Sequence, residues 1–446
     1  MIRSSISSRP IGIDLFSGAG GMSLGFEQAG IDVVAAVEID PIHALIHQYN
    51  FPHCAVLPKS VVGLTGEKIR ATAGIGNSSV DVVFGGAPCQ GFSMIGQRLL
   101  DDPRNSLVAE FVRIVSELNA SSFVFENVKG LTVGKHRKFL DELISAFNNA
   151  GYNVQKEWQV LNAANYGVPQ NRQRLFLLGV KKGKPLPSYP DILNIAAGSN
   201  SELILPSGPS CKDALGDIPD CENFSTLIHT DEVETKALDP PSNYAKEMRC
   251  YNSKHWHYGY KRKWTSQMLT SSIRTNHSDI SRNRFAETPH GCIEPISRFF
   301  KLSPSGVCNT LRAGTDASRG AFTSPRPIHY EHSRCITVRE MARLHGFPDW
   351  FRLHRTKWHG ARQIGNAVPP PLARAVASQM LKALEITPKH TRRTLKLGDD
   401  VVLGMDMKQA SNYWNVEMPN GKRDRKSGAK KRTQAQTEAA RLALLK

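Results

Sequence analysis

Long apolar runs are missing from this chain. None approaches the ~18 residues that mark a membrane-spanning helix, so no membrane partner is expected. The stretch Met1 to Pro10 is rich in Ser and Arg and has no apolar centre, so it does not read as a secretory signal. Cysteine is sparse: Cys54, Cys89, Cys211, Cys221, Cys250, Cys292, Cys308 and Cys335 are spread over 446 residues with no CxxC pair. That excludes a disulfide-stapled secreted domain and predicts reduced thiols in a cytoplasmic protein. There is no GxGxxG, no HExxH, no zinc-type Cys/His spacing and no internal repeat, so neither a nicotinamide site nor a metal is predicted. Acid is also short. Asp and Glu number 40 against 57 Lys and Arg, a net charge of +17, which favours a polyanionic partner, most simply nucleic acid.

What is present is globular in composition, with 40% hydrophobic residues and 22% charged, which rules out a wholly disordered or collagen-like chain. The length predicts two or three domains. Short apolar runs at residues 11–16, 33–37, 80–84, 123–125 and 175–180 alternate with helical stretches at 107–118 and 138–150, the latter ended by Gly151. This alternation predicts an α/β fold: a doubly wound, mostly parallel sheet covered on both faces. From Lys184 to Tyr330 the periodicity fades into Pro, Ser, Asn and isolated aromatics, the texture of a second, smaller, irregular domain. Regularity returns with Thr337-Val338-Arg339-Glu340, a capping box opening a short helix. The expected divisions are 11–183, 184–330, 331–387 and a basic extension, 388–446. That extension carries 14 Lys/Arg against 6 Asp/Glu.

In open parallel sheets ligands collect beyond the carboxyl ends of the strands. Here each of four strand ends carries something chemical. The first runs into Phe16-Ser17-Gly18-Ala19-Gly20-Gly21, a turn that lets backbone approach a ligand. The second ends at Glu38, 20 residues past Gly18, the distance at which an acid meets ribose hydroxyls. An adenosine-containing cofactor is therefore expected. The third ends in Gly85-Gly86-Ala87-Pro88-Cys89-Gln90. A cysteine between Pro and Gln at a strand end suits an exposed nucleophilic thiolate better than a packing residue. The fourth ends in Glu126-Asn127, where partial burial would raise the carboxyl pKa towards neutrality.

Taken together, DLFSGAGGMSLGFEQAG (Asp14 to Gly30), GGAPCQGFS (Gly85 to Ser93), FENV (Phe125 to Val128), QNRQRLF (Gln170 to Phe176), RCITVREMARLHGFPD (Arg334 to Asp349) and QIGNAVPPPLARAV (Gln363 to Val376) resemble the DNA cytosine-5 methyltransferase family, in the family's order. The resemblance implies a Rossmann-like methyltransferase fold whose irregular part is a target-recognition domain. It implies S-adenosylmethionine as methyl donor, S-adenosylhomocysteine as product, no metal, and a flipped-out cytosine in duplex DNA as acceptor. Cys89 would attack carbon 6, Glu126 would contact or protonate N3, Arg174 would hold O2, and Arg172 would support it. Phe16, Gly18, Gly20, Glu38, Pro88 and Asn366 would bind the cofactor. Two positions depart from the family pattern: Lys59-Ser60-Val61 lacks the usual adenine-contacting Asp, and Ala87 stands where Phe often precedes Pro-Cys.

The loop Ser93 to Asn105 is similar to the family's mobile loop. With it come the expected DNA contacts Gln90, Ser93, Gln97 and Arg98. Basic and aromatic residues interleaved in Lys254 to Trp264 add Lys261 and Arg262, and the stretch 271–284 adds Arg274 and Arg282. The stretch Phe299 to Arg326 is similar to enzymes acting on palindromic CGATCG. A nucleoid-associated cytoplasmic monomer is expected, either solitary or serving beside a separate restriction endonuclease. Transfer RNA as substrate and a non-catalytic DNA-binding relative stay open as alternatives. The long variable domain and basic extension favour duplex DNA over the first, and the intact Cys89, Glu126 and Arg174 set argues against the second.

Overall fold

The computed structural model describes residues 9–88, 106–132, 136–235, 240–315 and 325–418. Its strands are β1 (Ile11–Leu15), β2 (Asp32–Val37), β3 (Ala55–Leu57), β4 (Val82–Gly85), β5 (Ser122–Val128), β6 (Tyr152–Val154), β7 (Gln159–Asn162) and β8 (Gln173–Lys181). They join one sheet in the order β3-β2-β1-β4-β5-β8-β6, with β7 also paired to β8. The first five in sequence are mutually parallel. β8 enters antiparallel to β5, and β6 and β7 run antiparallel to β8. The short connections around β6, β7 and β8 leave no room for the crossover helix a parallel pairing needs.

Helices α1 (Gly21–Ala29), α2 (Pro41–Asn50), α3 (Gly66–Ala73), α4 (Ser106–Glu117) and α5 (His136–Asn149) accompany the sheet. Beyond it lie α6 (Cys211–Leu215), α7 (Asn243–Met248), α8 (Asp279–Glu287), α9 (Val338–Leu344), α10 (Lys357–Asn366), α11 (Pro370–Ala383) and α12 (Met407–Trp414). Two apolar clusters cover the two faces. One joins Ile69, Phe111, Phe139 and Phe147 of α3, α4 and α5 to Phe123 of β5. The other joins Phe26 of α1, Leu344 of α9 and Val376 of α11 to Phe84 of β4. Burial on both faces is why the strands read as near-continuous apolar runs. The expected doubly wound, mostly parallel α/β sheet is thus the fold of this chain.

Every residue of α1 is buried, because α11 lies directly on it. A Cβ on Gly25 would stand 2.5 Å from the Pro370 carbonyl oxygen, so only glycine admits this approach. The capping box is present as expected, with Thr337 and Glu340 exchanging both bonds.

Strand order reverses at β1, between β2 and β4. That switch point opens a crevice beyond the carboxyl ends of β1 and β4. The glycine turn after β1 and the Gly86-Ala87-Pro88 segment after β4 both lie there.

One expectation needs correction here. The Lys254 to Trp264 stretch packs at the opposite edge of the sheet. Tyr258 N–H donates to the Gln28 carbonyl and Tyr260 N–H to Glu27, both at the end of α1 farthest from the crevice. Arg262 cannot face DNA: it is 3% exposed, bidentate to Glu27 at 2.9 and 2.8 Å, and stacked over Trp350. A cation this deeply paired is committed to the fold. The extension divides in two. Residues 388–418 are packed structure, with Thr394–Lys396 pairing in parallel to Lys261–Lys263 and α12 lying against α2. Residues 419–446, with the dense Lys422 to Arg432 run, lie outside the described residues.

Candidate active site

The glycine turn begins with strain. Phe16 has φ +68°, a conformation non-glycine residues rarely hold and one that marks functional turns. Gly20 follows at φ +101°, and a Cβ there would strike the Phe51 ring at 2.4 Å. Above Gly18 a Cβ would meet nothing within 4 Å, so this glycine faces open space. Glu38 closes the side of the turn. Its carboxylate accepts from Gly18 N–H at 2.7 Å and Asp40 N–H at 2.8 Å. Burial raises its pKa against the pull of His43. Ile39, directly after it, is 64% exposed, an apolar side chain that sequence reasoning missed.

The opposite rim comes from residues 331–387, the return segment, which comes back to the sheet through α11. A Cβ on Gly21 would lie 2.6 Å from the Val368 carbonyl oxygen, so the stretch after Asn366 runs against the start of α1. Asn366 itself ends α10 and is exposed. At the end of β3, Lys59 and Ser60 stand where the family pattern has Asp. Ser60 Oγ accepts from Val62 N–H at 3.1 Å.

Beneath the turn, His47 and Ser23 lead to a buried acid. Ser23 Oγ donates to Asp14 at 2.5 Å and lies 3.0 Å from His47 Nε2. Burial pushes the Asp14 carboxyl up to about 8 and the His47 imidazole down to about 3. The folded state then keeps the Asp14 proton in a range where an unfolded chain, with its carboxyl near ~3.9, has released it. The Asp14 contribution to stability therefore falls as pH rises from about 4 to about 8 and levels above that, while the depressed His47 opposes it below its ordinary imidazole range. Asp14→Asn is neutral throughout and is expected to lack this decline. Urea unfolding of both proteins between about pH 5 and about pH 9 reads the difference; parallel curves would contradict it.

The catalytic candidates gather on β5 and β8. Glu126 does not end its strand as expected but lies inside it, because β5 runs through Val128. Glu126 stands directly opposite Phe176, and Arg174 opposite Val128, so Glu126 and Arg174 are diagonal neighbours on one face. Their ion pair spans 2.9 Å. Burial raises the Glu126 pKa while Arg174 and then Arg172 draw it back. Gly86 makes room for this carboxylate: a Cβ there would sit 2.4 Å from Glu126 Oε2. Asn127, a role not foreseen, donates through Nδ2 to the Ala87 carbonyl at 3.0 Å and so pins the backbone that leads to Pro88, which is exposed. Cys89, Gln90, Ser93, Gln97 and Arg98 lie outside the described residues.

Arg172, expected to support Arg174, also carries a structural role. It is fully buried and donates to the carbonyls of Leu311, Gly365 and Ala367 at 2.9, 2.8 and 2.8 Å. It rivets the return segment beside Asn366, while Arg174 pairs with Glu126. Gln170 works with it, meeting His345 Nδ1 at 2.9 Å, while His345 Nε2 lies 3.1 Å from the Ala367 carbonyl oxygen.

The expected DNA contacts outside the loop divide. Lys261 is exposed but sits on the far-edge ladder with Arg262. Arg274 and Arg282 converge on Glu222: Arg274 donates to its carbonyl at 3.0 Å, and Arg282 takes its carboxylate at 2.8 and 2.5 Å. Both keep partial exposure.

A family model described as C-5 cytosine-specific DNA methylase matches residues 12–382. Type II methyltransferase M.XorII of Xanthomonas oryzae pv. oryzae is 55% identical over 410 residues, covering 92% of this chain and 93% of that protein. Type II methyltransferase M1.HphI of Haemophilus parahaemolyticus is 35% identical over 83% of this chain and 86% of its own. Among solved structures, a prophage-encoded E. coli protein described as a DNA modification methyltransferase superposes with TM-score 0.65 at 32% identity, over 84% of this chain and 99% of that one. The Dnmt2 methyltransferase of S. pombe, at 18% identity and TM-score 0.50 over 85% of this chain and 100% of its own, shares the fold.

Proposed function

The chain belongs to the C-5 cytosine-specific DNA methylase family, and from that premise we propose that it methylates carbon 5 of one cytosine in a short duplex site through a covalent Cys89 adduct, with S-adenosylmethionine as donor. The observation that carries the reading is the pair of buried Glu126 with half-buried Arg174 at 2.9 Å, set beside the Gly86-Ala87-Pro88 segment that leads to Cys89. The donor supplies an electrophilic methyl group on a sulfonium. The residues present fit it: Gly18 opens onto free space, the Glu38 carboxylate is held by two backbone N–H groups with lone pairs to spare, and the apolar Ile39 stands next to it. Phe16, Gly20, Pro88 and Asn366 complete this proposed pocket.

Carbon 5 of cytosine is a weak nucleophile. The Cys89 thiolate forms a bond to carbon 6, and the ring π electrons shift towards carbon 5. Glu126, whose buried carboxyl favours its proton, neutralises the charge at N3. Arg174 donates to O2 and screens the same charge. Carbon 5 then takes the methyl group, leaving S-adenosylhomocysteine as the thioether. Loss of the carbon-5 proton to a base returns electrons that expel the Cys89 thiolate, and N3 gives its proton back to Glu126. Inside a duplex carbon 6 is hidden in the stack, so the base must swing out at a cost of a few kcal/mol. Gln90, Ser93, Gln97 and Arg98 are proposed to hold the strand around the vacated position, with Arg274 and the exposed part of Arg282 nearer the recognition side. The Type II names of the relatives support a role in restriction-modification beside a separate endonuclease. The proposed enzyme is a monomer in the cytoplasm, associated with the nucleoid.

The target proposed for testing is CGATCG. Bisulfite sequencing of host DNA after expression reads it directly. Protected cytosines confined to one palindrome support the reading, and uniform conversion at every site overturns it.

The basic end supports a second, sequence-independent contact with DNA. Residues 419–446 hold nine Lys/Arg against two Asp/Glu. Ending the chain after Met418 keeps the packed extension and is expected to flatten the salt dependence of nonspecific duplex binding. Every phosphate that is no longer neutralised lowers the log–log slope by about 0.9. Anisotropy titrations across a range of KCl measure it, and an unchanged slope rules out the contact.

A further inference from the structure

The family match ends at residue 382, yet the chain continues as ordered structure through residue 418. This added segment covers one helix from end to end. At the carboxyl end of α2, Gly398 N–H donates to the Tyr49 carbonyl at 2.9 Å, and the Tyr49 hydroxyl donates to Asp400 at 2.6 Å. At the amino end, Trp414 Nε1–H donates to the Pro41 carbonyl at 3.1 Å. Between them Val402, Leu403 and Ala410 are buried in one apolar cluster with α2, and that cluster also contains Ala19 of the glycine turn.

Both of these elements border the proposed cofactor pocket. Ala19 lies between Gly18 and Gly20. Pro41 follows Asp40, whose N–H fixes the Glu38 carboxylate at 2.8 Å and whose side chain caps α2. We infer that residues 398–414 act as a clamp that holds the glycine turn and the start of α2 in the geometry that binds the methyl donor, with Trp414 as its main positioning residue. The inference rests on the cofactor reading above. It assigns the extension a task in donor affinity and none in the chemical step.

The physical basis is preorganisation. A site that is competent only part of the time binds more weakly in proportion to that fraction. Removing Trp414 deletes the hydrogen bond to Pro41 and the packing at the amino end of α2 but leaves every pocket residue in place. Trp414→Ala in the full chain is expected to weaken binding of S-adenosylhomocysteine about tenfold by calorimetry. The KM for the methyl donor should rise with it, while the KM for duplex DNA and kcat at saturating donor stay close to wild type. Trp414→Phe, which keeps a ring, should recover part of the affinity. Hydrogen exchange without ligand should quicken at the amides of 19–24 and 42–49 in the Ala variant.

The outcomes separate cleanly. A wild-type chain that binds no S-adenosylhomocysteine removes the cofactor reading and the clamp with it. Wild-type binding matched by equally tight binding in Trp414→Ala removes the clamp alone. A lower melting temperature with unchanged donor affinity and unchanged exchange at 19–24 assigns Trp414 to general stability and also overturns the inference. Equal rises in the KM values for donor and DNA do the same.

Discussion

Cys89→Ala is expected to lower methyl incorporation into duplex DNA to background, a loss on the order of 10⁴-fold or more, as removal of a covalent nucleophile does. Three buried thiols among the described residues are unsuited to replace it. Burial pushes those of Cys211 and Cys221 up to about 12 and that of Cys335 up to about 11. Thiols held protonated in apolar surroundings are inert. The flanks of Cys89 suit the opposite behaviour: Pro88 before it is exposed, Ala87 is pinned by Asn127, and Arg174 brings a guanidinium to the Glu126 carboxylate beside Gly86. A duplex carrying 5-fluorocytosine at the target supplies the decisive measurement, since carbon 5 then holds no removable proton and the adduct cannot resolve. Wild-type protein should form a denaturation-resistant complex with it, and Cys89→Ala should not. A complex that survives the substitution would assign the attack to another side chain.

How much of this was legible in the sequence depended on range. Local signals read well. The Thr337–Glu340 capping box and the end of α5 at Gly151 (φ +92°) are set by neighbouring residues. The chemistry at the ends of β1, β2 and β4 was legible because parallel strands all deliver their carboxyl ends to one edge. Long-range pairing was not. Nothing near Trp414 announces that its partner is Pro41, 373 positions away, so the sequence does not mark 388–418 as packed structure. Arg262 misled for a related reason. Its neighbours Lys261 and Lys263 point outward and it points inward, a two-residue alternation typical of a strand that a basic cluster conceals. Arg172 and Arg174 show the same effect at closer quarters. Close together in one motif, they divide between riveting the return segment and pairing with Glu126, and only the positions of Leu311, Gly365 and Ala367 reveal which does which.

Glu126→Gln is expected to reduce kcat by about 10²- to 10³-fold, within the range for a positioned proton donor, while donor affinity stays near wild type. The substitution keeps the side chain's size beneath Gly86, where space for a larger group is absent. It can still donate a hydrogen bond to N3 but cannot transfer a proton there. It also leaves Arg174 facing a neutral amide at the place where it now meets a carboxylate at 2.9 Å. The pH profile tests the role more strictly than the rate. Burial raises the Glu126 pKa, so its protonated fraction persists above the ordinary carboxyl range and falls as pH rises through the folded value. Ionisation of the thiol works in the other direction, raising the rate with pH. Wild-type single-turnover methylation should therefore pass through a maximum, set by two groups titrating in opposite senses. With Gln at position 126 the descending limb should vanish and the rate should only climb with pH. A variant that retains a bell of the same width would move the proton at N3 to a different donor and leave Glu126 as a partner for Arg174 alone.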